Sequence, residues 1–136
     1  MYAAGRSPRN LLVVEDVPTH QLLIRALLMA GGYGVVDVVS NGREAVQAHQ
    51  LRTYELILMD CHMPELDGWE ATRQIRRRER ELNLTRVPII AFTGDTMESA
   101  LHACTTAGMD DFLTKPYDPP KMAEVLSRWL PHPIRE

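Results

Sequence analysis

No stretch of the 136-residue sequence is apolar enough to cross a bilayer. Its longest runs, such as Leu56 to Met59, are strand-sized, against the roughly 18 residues that a span needs. Cysteine is nearly absent: Cys61 and Cys104 lie far apart and fit no CxxC pattern, which excludes a disulfide framework and points to a reducing, cytoplasmic setting. Met1 to Asn10 carries Arg6, Ser7, Pro8 and Arg9 with no apolar run behind them, so residues 1–10 read as a flexible arm and not as a secretory signal. An excess of positive charge is also missing. Fifteen Lys plus Arg stand against eighteen Asp plus Glu, a formal charge of -3, which argues against whole-surface attraction to nucleic acid or to an anionic membrane. Function must therefore reside in a local site.

What is present suits one globular domain. With 45% hydrophobic and 24% charged residues the chain can build a core, here expected over residues 11–130 with a short tail at 131–136. Short apolar, β-branched runs at Leu11–Glu15, Val35–Val39, Glu55–Asp60, Val87–Thr93 and Asp111–Thr114 are spaced by segments long enough for helices. Leu22, Leu23, Ala26, Leu27 and Ala30 mark the expected buried face of a first helix, and Gly31–Gly32 supply the positive-φ stop. Asn41 with Glu44 predicts a capping box for the second. Trp69, Thr72 and Ile75 mark a third. Met97, Ala100, Leu101 and Cys104 before Gly108 mark a fourth. Asp118 and Pro119 open a fifth, with Met122, Val125, Leu126 and Trp129 facing inward. Strands apolar on both faces imply a sheet covered on both sides. The expected fold is α/β: a flavodoxin-like (βα)5, doubly wound parallel sheet in the order 2-1-3-4-5, whose ligands sit beyond the carboxyl ends of strands one and three.

Polar side chains mark those ends. Strand one finishes in Glu15–Asp16, strand three in Asp60 and strand four in Thr93, while strand five runs into Lys115–Pro116. Because strands one and three are neighbours in this order, three carboxylates converge. Like charges at close range repel by several kcal/mol at low effective dielectric, and a cation that joins them keeps them ionised together. Mg²⁺ suits an all-oxygen set and commonly binds one or two carboxylates together with phosphate oxygens. A single acid at a strand end is ordinary solvation. An acidic pair, a lone Asp, a hydroxyl and a lysine, each closing its own strand, read together as a site for metal and phosphate.

The order of motifs carries a resemblance. Leu-Leu-Val-Val-Glu-Asp at 11–16, Leu-Met-Asp-Cys-His-Met-Pro-Glu-Leu-Asp-Gly at 58–68, Ile-Ile-Ala-Phe-Thr-Gly at 89–94 and Ala-Gly-Met-Asp-Asp-Phe-Leu-Thr-Lys-Pro at 107–116 are similar to a response-regulator receiver domain of two-component signalling. The second and fourth stretches resemble receivers attached to hybrid histidine kinases. The resemblance implies that Asp60 is the phosphoacceptor, taking its phosphoryl group from a histidine kinase or histidine phosphotransfer domain. Asp16, Asp60 and the backbone carbonyl of His62 would hold Mg²⁺ or Mn²⁺, with Glu15 acting through water. Lys115 would pair with one phosphoryl oxygen and the Thr93 hydroxyl with another, and the Lys115–Pro116 peptide bond is cis in such domains. Thr93 and Phe112 would form the switch that remodels the surface of the fourth helix, fifth strand and fifth helix. Such a chain catalyses transfer to, and hydrolysis from, its own Asp60; it does not turn over a separate small substrate.

Several positions depart from that pattern or compete with it. Hybrid-type receivers commonly carry Asn directly after the acidic pair and again three residues on, where this chain has Val17 and His20. His20 reads as an exposed helix-start residue rather than a metal ligand. His62 and Asp95 flank the expected site and are candidates for tuning dephosphorylation. Arg73, Arg76, Arg77, Arg78 and Arg80, interspersed with Glu79 and Glu81, read as a solvated helix face. Cys61 reads as structural. Rival functions on the same fold are an aspartyl phosphatase, a flavin carrier and a receiver-like interaction module that is never phosphorylated; the last is the most serious.

Overall fold

The computed structural model describes residues 9–61, 66–93, 102, 105–114 and 119–130. The chain alternates strand and helix: β1 (Asn10–Val14), α1 (Pro18–Ala30), β2 (Val35–Val39), α2 (Gly42–Leu51), β3 (Leu56–Asp60), α3 (Gly68–Leu82) and β4 (Ile89–Thr93). Helical residues at 105–107, the described end of α4, stop at Gly108, whose φ of 96° only glycine adopts readily. β5 (Asp111–Thr114) and α5 (Pro119–Trp129) follow. The expected residues of the fourth helix before 105, apart from His102, lie outside the described residues, as do Asp118 and the two termini.

Five parallel strands form one sheet in the order β2-β1-β3-β4-β5. Register pairs Leu12 with Ile57 and Met59 with Ala91, so the apolar runs lie side by side through the centre of the sheet. Successive strand residues point to opposite faces, and each face has its own core. Leu12, Val14, Ile57, Met59, Ala71, Ile75 and Ala91 pack under α2 and α3. Leu11, Val13, Ile24, Leu28, Leu58, Phe92, Val125 and Leu126 pack under α1 and α5. A parallel sheet covered on both sides is what strands with no polar alternation require.

Helix ends follow local chemistry. The Asn41 carboxamide oxygen accepts from the Glu44 N–H at 2.8 Å, as the capping box predicts, and the Glu44 carboxylate reaches back to the Ser40 N–H at 2.7 Å. α3 is capped by Asp67, which accepts from the Glu70 N–H at 2.8 Å, and closes on Asn83 in the left-handed conformation. α1 departs from expectation. Its buried residues are Ile24 and Leu28, whereas Leu22 is 70% and Leu23 51% exposed and Ala26 and Ala30 also face outward. The helix is apolar nearly all round, so periodicity alone could not choose its inner face. Of the two glycines expected to end it, only Gly32 has positive φ; Gly31 stays in the right-handed region. Trp129 also turns outward at 36% exposure, its indole N–H donating to the Asp111 carboxylate at 2.9 Å, while Leu130 takes the buried place.

The arginine run is the largest correction. Arg76 is buried. Its guanidinium donates to Glu79 and the Val87 carbonyl at 2.8 Å, to the Gly108 carbonyl at 2.9 Å and to Asp110 at 2.7 Å. Asp110 also accepts from Arg86 at 2.8 Å and from the Ile89 N–H at 2.9 Å. Glu79 accepts the Val87 N–H at 2.8 Å. This clamp ties α3 to the starting ends of β4 and β5. A planar, five-donor guanidinium is the side chain that can serve so many acceptors at once.

Candidate functional site

At the opposite ends of the strands the polar residues gather. Glu15, directly after β1, is fully buried and continues the ladder by donating its N–H to the Val39 carbonyl at 3.1 Å. One carboxylate oxygen of Glu15 accepts from the Val17 N–H at 3.2 Å, and its carbonyl accepts from the Gln21 side-chain amide at 2.6 Å. The first turn of α1 therefore fixes this acid. Asp16 follows, half-buried. Asp60 closes β3, the neighbour of β1, and is buried. Ligand atoms of Glu15, Asp16 and Asp60 all lie within 4.8 Å of one another.

The elements around Asp60 are built for close approach. The N–H of Gly68, which starts α3, donates to the Cys61 carbonyl at 3.2 Å. A Cβ at Gly68 would collide with the Asp60 carbonyl, so glycine is required for the helix to begin there. The partner of Asp60 across the ladder is Phe92, and Thr93 follows it as the last residue of β4, buried. A hydroxyl thus ends the strand beside the one that ends in Asp60. Cys61 is buried in the core beneath α2 and α3, as a structural residue should be.

Three of the expected site residues, Glu15, Asp16 and Asp60, are thus brought together by adjacent strand ends, with Thr93 on the next strand. Phe112 lies on β5 opposite Ala91, partly buried against the core under α2 and α3. His62, Asp95 and Lys115, with the Lys115–Pro116 bond, lie outside the described residues. The donor set of the acidic cluster is hard oxygen throughout, at a spacing one small divalent cation can bridge, so the residues fit Mg²⁺. His20 is the exposed helix-start residue that its position implied, and it also neighbours the acidic pair. His20, 46% exposed on the first turn of α1, places Nδ1 at 3.5 Å from a Glu15 carboxylate oxygen. The available signal was its position: a helix opening at Pro18 carries its first turn back over the acidic pair. Val17, at the N-cap of this helix, offers no side-chain cap where Asn would have given one.

Comparison with known proteins settles the family. The profile described as "Response regulator receiver domain" matches residues 11–127. The chain belongs to the response-regulator receiver family. Its likeness to the "Sensor protein GacS" of Pseudomonas syringae pv. syringae is 40% identity over 93% of the chain, which spans only 14% of that relative. Among solved structures, the receiver domain of sensor histidine kinase PA1611 from Pseudomonas aeruginosa PAO1, which has a magnesium ion coordinated in its active-site cleft, is 41% identical. The match covers 90% of this chain and 98% of that one, with a TM-score of 0.79. The receiver domain of Ssk1 from Saccharomyces cerevisiae, solved with the histidine phosphotransfer protein Ypd1, is 28% identical. It covers 90% of this chain and 89% of that one, with a TM-score of 0.84. The family match over residues 11–127 sets aside the flavin and phosphatase readings. No helix among the described residues is long and apolar enough to cross a membrane.

Proposed function

We propose that this receiver accepts a phosphoryl group onto Asp60 from a phosphohistidine on a histidine kinase or histidine phosphotransfer partner. The observation that carries this reading is the convergence of Asp60 with Glu15 and Asp16 at one sheet edge. An Asp60 carboxylate oxygen attacks phosphorus, the bond from phosphorus to the partner's imidazole nitrogen breaks, and an acyl phosphate remains on Asp60. Asp16, Asp60 and the His62 carbonyl would hold Mg²⁺, or Mn²⁺ in its place, with Glu15 reaching it through water. When bound, the ion supplies the positive charge that offsets repulsion between the attacking carboxylate and the phosphoryl oxygens. Lys115 pairs with one phosphoryl oxygen and the Thr93 hydroxyl donates to another. His62 and Asp95, two residues after Asp60 and Thr93 in the sequence, set the lifetime of the product.

The exposed apolar side of α1 supports a protein donor. α1 opens directly after Asp16, and any partner that presents a phosphohistidine to Asp60 must cover this edge. Leu22 and Leu23, both exposed on this helix, offer that partner apolar area. The same reading carries a switch, in which Thr93 moves toward the phosphoryl group and Phe112 follows by packing, changing the surface formed by α4, β5 and α5. It also carries a cytoplasmic setting, with which the buried, reduced thiol of Cys61 agrees.

Mass spectrometry after incubation with Mg²⁺ and a small acyl phosphate tests the chemistry. One labile phosphoryl adduct is expected on the wild-type chain and none on Asp60→Asn. An adduct of equal yield on Asp60→Asn overturns the assignment. A wild-type chain that takes no adduct yet still binds a phosphotransfer partner would establish the unphosphorylated interaction module instead.

A further inference from the structure

The outer face of α3 is positively charged in a chain whose formal charge is -3. Arg73, Arg77 and Arg80 are all exposed. At about 100° per residue they fall within about 60° of one another, away from the buried Ala71, Ile75 and Glu79, and they span about 10 Å of the helix. Arg73 donates to Glu70 at 3.1 Å, while neither Arg77 nor Arg80 has a carboxylate partner among the described residues. One end of this stripe opens into a cavity of about 240 Å³ lined by Asp67, Trp69, Arg73, His102 and Thr106. Asp67 is occupied there in capping α3, accepting from the Glu70 N–H at 2.8 Å. α3 also packs on the face of the sheet opposite α1, so a molecule seated on the stripe leaves the α1 edge open to a phosphodonor.

We propose that Arg73, Arg77 and Arg80 dock an acidic helix of a partner protein, with carboxylates at i, i+4 and i+7 and an apolar side chain one turn further on that enters the cavity beside Trp69. Acids at that spacing repeat the pitch of the arginines, and a guanidinium meets a carboxylate in a planar, two-bonded pair. The charge pattern selects protein over nucleic acid. A duplex presents one phosphate charge per about 1.7 Å of axis, and the stripe offers three cations between the exposed acids Asp67 and Glu81. Docking here needs no chemistry at Asp60 and is independent of it.

Fluorescence anisotropy on the full chain tests it, with a labelled helical peptide of about 15 residues that carries Glu at i, i+4 and i+7 and Leu one turn beyond. Expected are binding that weakens as salt rises and a loss of about tenfold or more in affinity in the Arg77→Glu, Arg80→Glu double variant. The Arg25→Glu, Arg43→Glu double variant makes the same charge change on exposed residues of α1 and α2 and should stay within about threefold of wild type. Equal losses in the two variants, or no binding of the peptide, overturn the proposal. A single-stranded oligonucleotide that binds as tightly as the peptide, and loses as much in Arg77→Glu, Arg80→Glu, overturns the choice of partner. Trp129→Phe leaves Trp69 as the chain's one tryptophan, and its emission should shift to the blue on binding. An unshifted emission overturns the seating at the cavity. Arg77→Glu, Arg80→Glu should still take the phosphoryl adduct on Asp60, which also shows that it is folded, and Asp60→Asn should still bind the peptide.

Discussion

Where β1 and β3 stop, Glu15, Asp16 and Asp60 bring three carboxylates within 4.8 Å; where β4 and β5 start, Arg76 closes on Glu79 at 2.8 Å and Asp110 at 2.7 Å. Both clusters are made by the same sheet, and both draw on residues that are largely buried. The lower one pairs opposite charges and satisfies them with backbone carbonyls and N–H groups, so nothing outside the protein is needed to complete it. The upper one sets like charges against each other. Repulsion among such acids costs stability, and on the proposed function a cation and a phosphoryl group held there offset it. A charged cluster is thus diagnosed by the sign of its members more than by its burial.

The sharpest way to break this contrast is Arg76→Ala. It strands Glu79 and Asp110 in the interior, and a loss of about 3–5 kcal/mol in urea unfolding is expected, since half of a buried pair is worse than none. A loss below about 1 kcal/mol would mean that water reaches the clamp and that it is an ordinary surface network. At the upper end the same kind of deletion should act in the opposite direction. Asp16→Asn removes one of three like charges, and without divalent ions the variant should be more stable than wild type by about 1 kcal/mol. The Coulomb energy of a pair at this range is about 3–4 kcal/mol at an effective dielectric of 20, and the half-exposure of Asp16 lowers it. Saturating Mg²⁺ should then favour the wild type, because only the intact cluster gains the full linkage stabilisation. Destabilisation of ion-free Asp16→Asn would show that the bonds made by these acids outweigh the repulsion among them.

His49 gives the smallest effect and belongs to the lower end. Its ring lies 3.7 Å from Glu79 and beside Arg78. Burial holds its pKa below the usual 6.5, with Arg78 and Arg76 adding to the effect and Glu79 opposing it. The unfolded chain therefore binds the proton more readily than the folded one. Stability from this group is present above pH 6.5 and is lost as pH falls through and below it. Urea midpoints measured from pH 7.5 to 5.5 should decline more steeply for wild type than for His49→Gln. Parallel slopes would remove His49 from the clamp's electrostatics. Tyr54, whose pKa is pushed up to about 12 chiefly by burial, with its bond to Asp37 adding, stays protonated across this range and does not interfere.

Much of this was legible in the chain because the signals were local. Asn41 and Glu44 state a cap, Gly108 states a stop, and the unbroken apolar runs at Leu11–Val14 and Leu56–Met59 state central parallel strands. Glu15, Asp16 and Asp60 were readable as one site because strand order alone makes their strands neighbours. Where a segment offered two equivalent solutions, sequence failed. α1 is apolar on opposite sides, so the choice of Ile24 and Leu28 over Leu22 and Leu23 was made by the sheet it packs on. Arg76 sits among five arginines that differ in nothing but their angle on α3.

The sequence by itself therefore determined the alternation of strand and helix, the order of the sheet and the acidic edge, since each follows from hydrophobic period, turn chemistry and which residue ends each strand. Tertiary structure alone decided which arginine was buried, which side of α1 was left open and that His20 would lean over Glu15. Those outcomes depend on the rotation of a helix about its axis against its neighbours, a quantity that no single segment encodes.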